Sequence, residues 1–129
     1  EGAMVSDHLA NRLVEEALGA CAGGFCLDGY PRTVGQVESL DRLGATLGWG
    51  LDAAVYLALD SAEVKNRLSQ RGREDDDREA VDKRLSLFEA QTLPVVDIYR
   101  KRGLLRRIDA SGGTGDVFRA VCESLGVHV

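Results

Sequence analysis

The chain has 129 residues, 44% of them hydrophobic and 29% charged, which is the size and composition of one soluble globular domain rather than a disordered tail. Its formal net charge of −5 lacks the basic excess that a nucleic-acid binder collects on one face, so no nucleic-acid partner is expected. No apolar run reaches the ~20 residues needed to cross a bilayer and no basic-then-apolar leader opens the chain, so no membrane role is expected and a cytoplasmic location is.

Two periodicities alternate along the chain. Apolar residues recur at helical spacing over about ten positions and then give way to short β-rich runs, the pattern of an α/β domain with a mainly parallel sheet. The first helix is expected from about Asp7 to Leu18, capped by Ser6, with Leu9, Leu13, Val14, Ala17 and Leu18 on one face and Gly19 ending it. Phe25-Cys26-Leu27 then reads as a buried strand that stops at Asp28-Gly29. A second helix follows Pro31 with Val37, Leu40, Leu43 and Leu47 on its face, and Gly48 and Gly50 break it.

The next strand is Ala54 to Leu59, after which Asp60 or Ser61 can cap a helix bearing Val64 and Leu68. A polar segment from Gln70 to Arg78 interrupts the pattern. Val81, Leu85, Phe88, Val95 and Tyr99 mark a long helix expected to bend at Pro94, because proline removes one backbone donor and crowds the preceding turn. Leu105 to Asp109 is a third strand, and Ser111-Gly112-Gly113 turns the chain into a last helix with Val117, Val121 and Leu125. Cys21, Cys26 and Cys122 have neither C-x-x-C pairing nor histidines at ligand spacing, so reduced thiols are expected. His8 and His128 have no partner pattern and receive no role.

Chemistry concentrates in two places. The first is Gly24 to Gln36. Asp28, at the end of an apolar run, either forms a turn before glycine or reaches a Mg²⁺ beside transferring phosphates. Gly29 permits close approach to the main chain, Arg32 lies at a helix entrance where amide donors favour an anion, and Gln36 stands one turn further on. Gln36 can read a base edge, or it can complete a capping box with Thr33.

The second is Arg67, Arg71 and Arg73, followed by Asp75, Asp76 and Asp77 and by Arg84 in the next helix. Thirteen of the sixteen basic residues are arginine, a planar fork suited to phosphate, although a GC-rich genome gives the same bias. A charge run of this kind is either a solvated face or a phosphate clamp.

Gly24-Phe-Cys-Leu-Asp-Gly-Tyr-Pro-Arg-Thr33 together with Gln36 resembles the signature of adenylate kinases, and the resemblance extends along essentially the whole chain. It implies a P-loop NTPase-like three-layer α/β/α fold and transfer of phosphate from ATP to AMP, giving two ADP, with Mg²⁺ as cofactor near Asp28. Residues 1–129 would form a single nucleoside monophosphate kinase domain with a short lid at about 71–77, because only Gly72 separates Arg71 from Arg73. The resemblance places AMP against the backbone of Ala3, Met4 and Val5 and against Gly29, Arg32 and Gln36. ATP would meet Arg67, Arg71 and Gly112, while Arg73 and Arg84 would bridge to the AMP phosphate, oriented by Asp75 or Asp76. Arg32, Arg71, Arg73 and Arg84 are the implied catalytic set. Thr33 leans towards an adenine acceptor, and Tyr30-Pro31 resembles a bond that is cis in the family.

The sequence departs from that family in one respect. It contains no G-x-x-G-x-G-K-[ST]-like phosphate loop, and so neither the lysine of that loop nor the threonine and arginine of the first AMP-site helix. The family's first strand lies between those matching Phe25-Leu27 and Val55-Leu59, so two edges are expected to stand unpaired and to recruit other chains, whereas the complete parent is expected to be monomeric. A truncated product, a strand supplied by a second chain and a degenerate homologue are the three explanations, the first favoured because residue 1 is glutamate and the match is intact from Gly2. The chain alone is then expected to be nearly inactive. The alternative is a non-catalytic nucleotide-binding or assembly module that kept the AMP pocket.

Overall fold

The computed structural model describes residues 6–21, 23–71 and 78–127. In chain order the elements are α1 (Asp7–Gly19), α2 (Val34–Leu47), β1 (Ala54–Ala58), α3 (Ser61–Arg71), α4 (Arg78–Leu87), a π-helical turn (Phe88–Thr92), α5 (Leu93–Lys101), β2 (Leu105–Asp109) and α6 (Thr114–Ser124). β1 and β2 pair in parallel, in register from Ala54 against Leu105 to Ala58 against Asp109. This is the α/β class with a parallel sheet that the alternating periodicities indicate, since a parallel pair needs a long crossover and α3 to α5 supply it.

Local chemistry sets most boundaries. The Ser6 hydroxyl accepts from the amide of Leu9 at the start of α1, and the Asp60 carboxylate accepts from the amide of Glu63 at 2.9 Å at the start of α3. Gly48 closes α2 in the left-handed region at φ 83°, where a side chain would be strained. Val37, Val95 and Tyr99 form a buried core cluster, with Leu51, Ala54, Ile98, Leu104 and Leu105 packed against it, so the core lies where α2 and α5 cover the sheet. Arg102, just past α5, makes a bidentate pair with Asp41 of α2 at 2.9 and 2.7 Å and lies over the Tyr99 ring at 5.6 Å. That hydrogen-bonded carboxylate raises the Arg102 pKa further.

Three expectations change. Phe25-Cys26-Leu27 is not a strand. A ladder requires a neighbour at about 4.8 Å, and this run and residues 54–56 of β1 instead line one shared cavity of about 810 Å³. The run is held by packing, with the Phe25 ring edge-on to Trp49 at 4.8 Å between centroids.

On α1, Leu9, Leu13 and Ala17 are exposed and Leu18 is its buried residue, the helix packing chiefly on α2 among the described elements. The long helix, finally, is not α-helical throughout but passes through the π-helical turn just ahead of Pro94. The amide of Leu93 donates to the carbonyl of Phe88, five residues back, and this wider turn accommodates a proline that has no N–H and crowds the carbonyl four residues before it.

Candidate functional site

The segment from Asp28 to Gln36, a loop and the first turn of α2, is held largely by its own polar atoms. Gly29 adopts φ 79°, and the Arg32 side chain folds back so that its Nε donates to the Gly29 carbonyl at 2.7 Å. The positive φ requires glycine here, and a Cβ at position 29 would lie 2.8 Å from the tip of the Arg32 guanidinium, which would have to swing aside. The Tyr30-Pro31 bond is cis.

Thr33 caps α2, its hydroxyl accepting from the Gln36 amide at 3.2 Å. The Gln36 carboxamide oxygen accepts from the amide of Arg32 at 2.6 Å, one residue earlier than the partner an ideal capping box uses. Gln36 is 5% exposed, and its carboxamide nitrogen donates to Asp7 at 3.0 Å. The second oxygen of Asp7 accepts from the Thr33 hydroxyl at 3.0 Å. Tyr30 donates to the Asn11 side-chain carbonyl at 2.6 Å, and partial burial raises the pKa of its phenol. Helix α1 thus braces this segment from one side.

The other side is braced by the π-helical turn, where the Thr92 hydroxyl donates to the Arg32 carbonyl at 2.8 Å. The cavity of about 810 Å³ opens beside this loop, and Asp28, Gly29, Arg32 and Arg84 all line it. Four residues from distant parts of the sequence, Asp28 to Arg84, therefore face one space. Asp28 is exposed there. Among the described residues no group of three or more metal-ligating side chains exists, and Asp28 and Asp52 are the carboxylates that line the cavity. So few protein donors would suit Mg²⁺, which keeps waters and substrate phosphate oxygens as its remaining ligands.

A second constellation lies outside that cavity. Arg67 of α3 is paired with Glu63 at 2.8 Å and also donates to the carbonyls of Ser111 at 3.2 Å and Gly112 at 3.4 Å. The turn it meets is fixed by the Asp109 carboxylate, which accepts from the Ser111 amide at 2.9 Å. Hydrogen bonds from Ser111 hold the Asp109 carboxyl below its ordinary pKa. Arg71 is the last residue of α3. Ala3, Met4, Val5, Arg73, Asp75 and Asp76 lie outside the described residues, as does the lid segment beyond Arg71.

A protein-family model described as adenylate kinase matches residues 1–104. The chain belongs to the adenylate kinase family. An adenylate kinase from Kocuria rhizophila is 39% identical over 130 residues, covering 96% of this chain and 69% of its own length. Another from a Nocardioides species is also 39% identical, covering 98% of this chain and 69% of its own length. A third, from Xanthomonas campestris pv. campestris, is 40% identical and covers 97% and 70% respectively.

In this member of the adenylate kinase family, three contributors to the loop went unseen in the sequence. Asn11 and Thr92 are isolated polar residues in helical segments, without any pattern that points at Tyr30 or Arg32. Asp7 ends the stretch from Gly2 that holds Ala3, Met4 and Val5, expected against AMP, but its bonds to Thr33 and Gln36 span 26 and 29 positions. Only the packing of α1 against α2 brings them together.

Proposed function

We propose that the protein transfers the terminal phosphoryl group of ATP to AMP, giving two ADP, in the cytoplasm and as a monomer. One observation carries this reading: Asp28, Gly29, Arg32 and Arg84 line the same cavity, in a member of the adenylate kinase family. Arg32, at the entrance to α2 beside its free amides, binds the AMP phosphate, and Arg84 approaches the transferred group from α4. Gly29 and Gln36 contact the AMP base, with the backbone of Ala3, Met4 and Val5. Arg67 and Gly112 lie at the ATP adenine, while Arg71 and Arg73 take the ATP and bridging phosphates.

Phosphoryl transfer asks for alignment of two phosphates and neutralisation of spread charge more than for a covalent catalyst, and arginines supply both. Asp28 would hold Mg²⁺ through water, and when bound the ion neutralises phosphate oxygens. The test is a coupled assay of ADP formation from ATP and AMP, alongside calorimetry with AMP. Because these 129 residues contain no phosphate-loop lysine, we expect them alone to turn over poorly while AMP binding persists. Normal turnover would refute that expectation.

The same missing motif favours a second reading, a non-catalytic nucleotide-binding or assembly module. AMP binding without any ADP formation by the full-length protein would select it, and loss of AMP binding would reject both.

A further inference from the structure

We propose that Asp7 is a specificity-determining positioning residue, which orients the Gln36 carboxamide so that the acceptor site takes 6-aminopurine over 6-oxopurine monophosphates. This rests on the acceptor-site reading above. A carboxamide rotated by half a turn exchanges its donor and acceptor ends, so Gln36 can in principle match either kind of base edge. Its neighbours decide between the two. The Arg32 main-chain amide can only donate, so the atom 2.6 Å from it is oxygen. An ionised Asp7 can only accept, so the atom 3.0 Å from it is nitrogen.

The partners' chemistry thus fixes the orientation. Each bond uses one of the carboxamide's two lone pairs or two N–H groups, leaving one acceptor and one donor of known identity. Adenine offers an exocyclic amino donor next to a ring nitrogen acceptor, which that pair matches; hypoxanthine offers an oxygen acceptor next to an N–H, which only the rotated carboxamide matches. The Asp7 bond is the charge-assisted one of the two and therefore the stronger lock. Asp7 also accepts from Thr33 at 3.0 Å, so each of its oxygens faces a donor.

The experiment is titration calorimetry of the full-length protein with adenosine and inosine 5′-monophosphates, for wild type, Asp7→Ala and Asp7→Ser, with thermal unfolding of each. Wild type should prefer the adenine nucleotide, and both variants should lose about tenfold of that ratio, the worth of one charge-assisted hydrogen bond. Asp7→Glu, which keeps an acceptor-only group, should retain most of it. A variant that binds both nucleotides more weakly at an unchanged ratio would make Asp7 merely structural and overturn the inference. Wild type that binds neither nucleotide would instead defeat the acceptor-site reading. Asp7 is exposed on the first turn of α1, and two replacements give the ratio even where one impairs folding.

Discussion

The hydroxyl of Thr92 donates to the main-chain carbonyl of Arg32 at 2.8 Å, across 60 positions of sequence. It ties the π-helical turn to the arginine loop, so the irregular turn upstream of Pro94 also places a polar side chain against the candidate anion site. Thr92→Val keeps the shape and removes the donor. The expected result is a loss of about 1 kcal/mol in denaturant unfolding, together with weaker AMP binding by calorimetry. A variant that loses stability but binds AMP at full strength would separate the contact from the site.

Gly29→Ala strains the backbone and displaces a neighbouring side chain. The positive φ costs about 1–2 kcal/mol for any L-residue, and the new methyl would stand 2.8 Å from the Arg32 guanidinium. Binding of AMP should therefore fall by more than the unfolding free energy explains, because the displaced group is the candidate phosphate ligand. Equal losses in the two measurements would count against a phosphate role for Arg32.

Arg32→Ala and Arg84→Ala should each lower kcat/KM by about a hundredfold or more, the cost typical of deleting one preorganised donor to the transition state. Far-ultraviolet circular dichroism and melting should stay near wild type for Arg32, which is exposed. Unchanged kinetics in both variants would remove the assignment.

Acid should loosen the turn that meets Arg67. The Asp109 carboxyl is lowered from 3.8 by hydrogen bonds from Ser111, so its folded pKa is depressed relative to the unfolded chain. Such a group contributes stability above its unfolded pKa and loses it as pH falls through the folded value. The melting difference between wild type and Asp109→Ala should accordingly be full at pH 6 and shrink below about pH 4. A difference that stays constant with pH would deny the carboxylate its part.

The free side of β1 should be sticky. β2 is its only partner among the described residues, and Val55 and Leu57 are 39% and 51% exposed. These 129 residues are expected to self-associate with rising concentration in sedimentation velocity, and Leu57→Lys should reduce that association, since charge on an open strand discourages pairing. A monomer at every concentration would show that the exposed strand is otherwise protected.

The sequence by itself determined the α/β class, the helices and the two paired strands, because caps, glycines and apolar spacing act within a few residues of one another. Ser6, Asp60 and Gly48 each stop or start an element by bonds or backbone angles that are local. It also singled out Gly29, Arg32 and Gln36, whose mutual contacts lie within seven positions.

Only the tertiary structure decided the rest. Whether Phe25-Cys26-Leu27 is a strand depends on a neighbour at ladder distance, and in its place lies a cavity shared with β1. Whether Asp7 and Thr92 matter depends on α1 and the π-helical turn meeting one loop from two sides. The chain's hydrogen-bonding capacity is written residue by residue, but which donor faces which acceptor across 60 positions is set by how the helices pack.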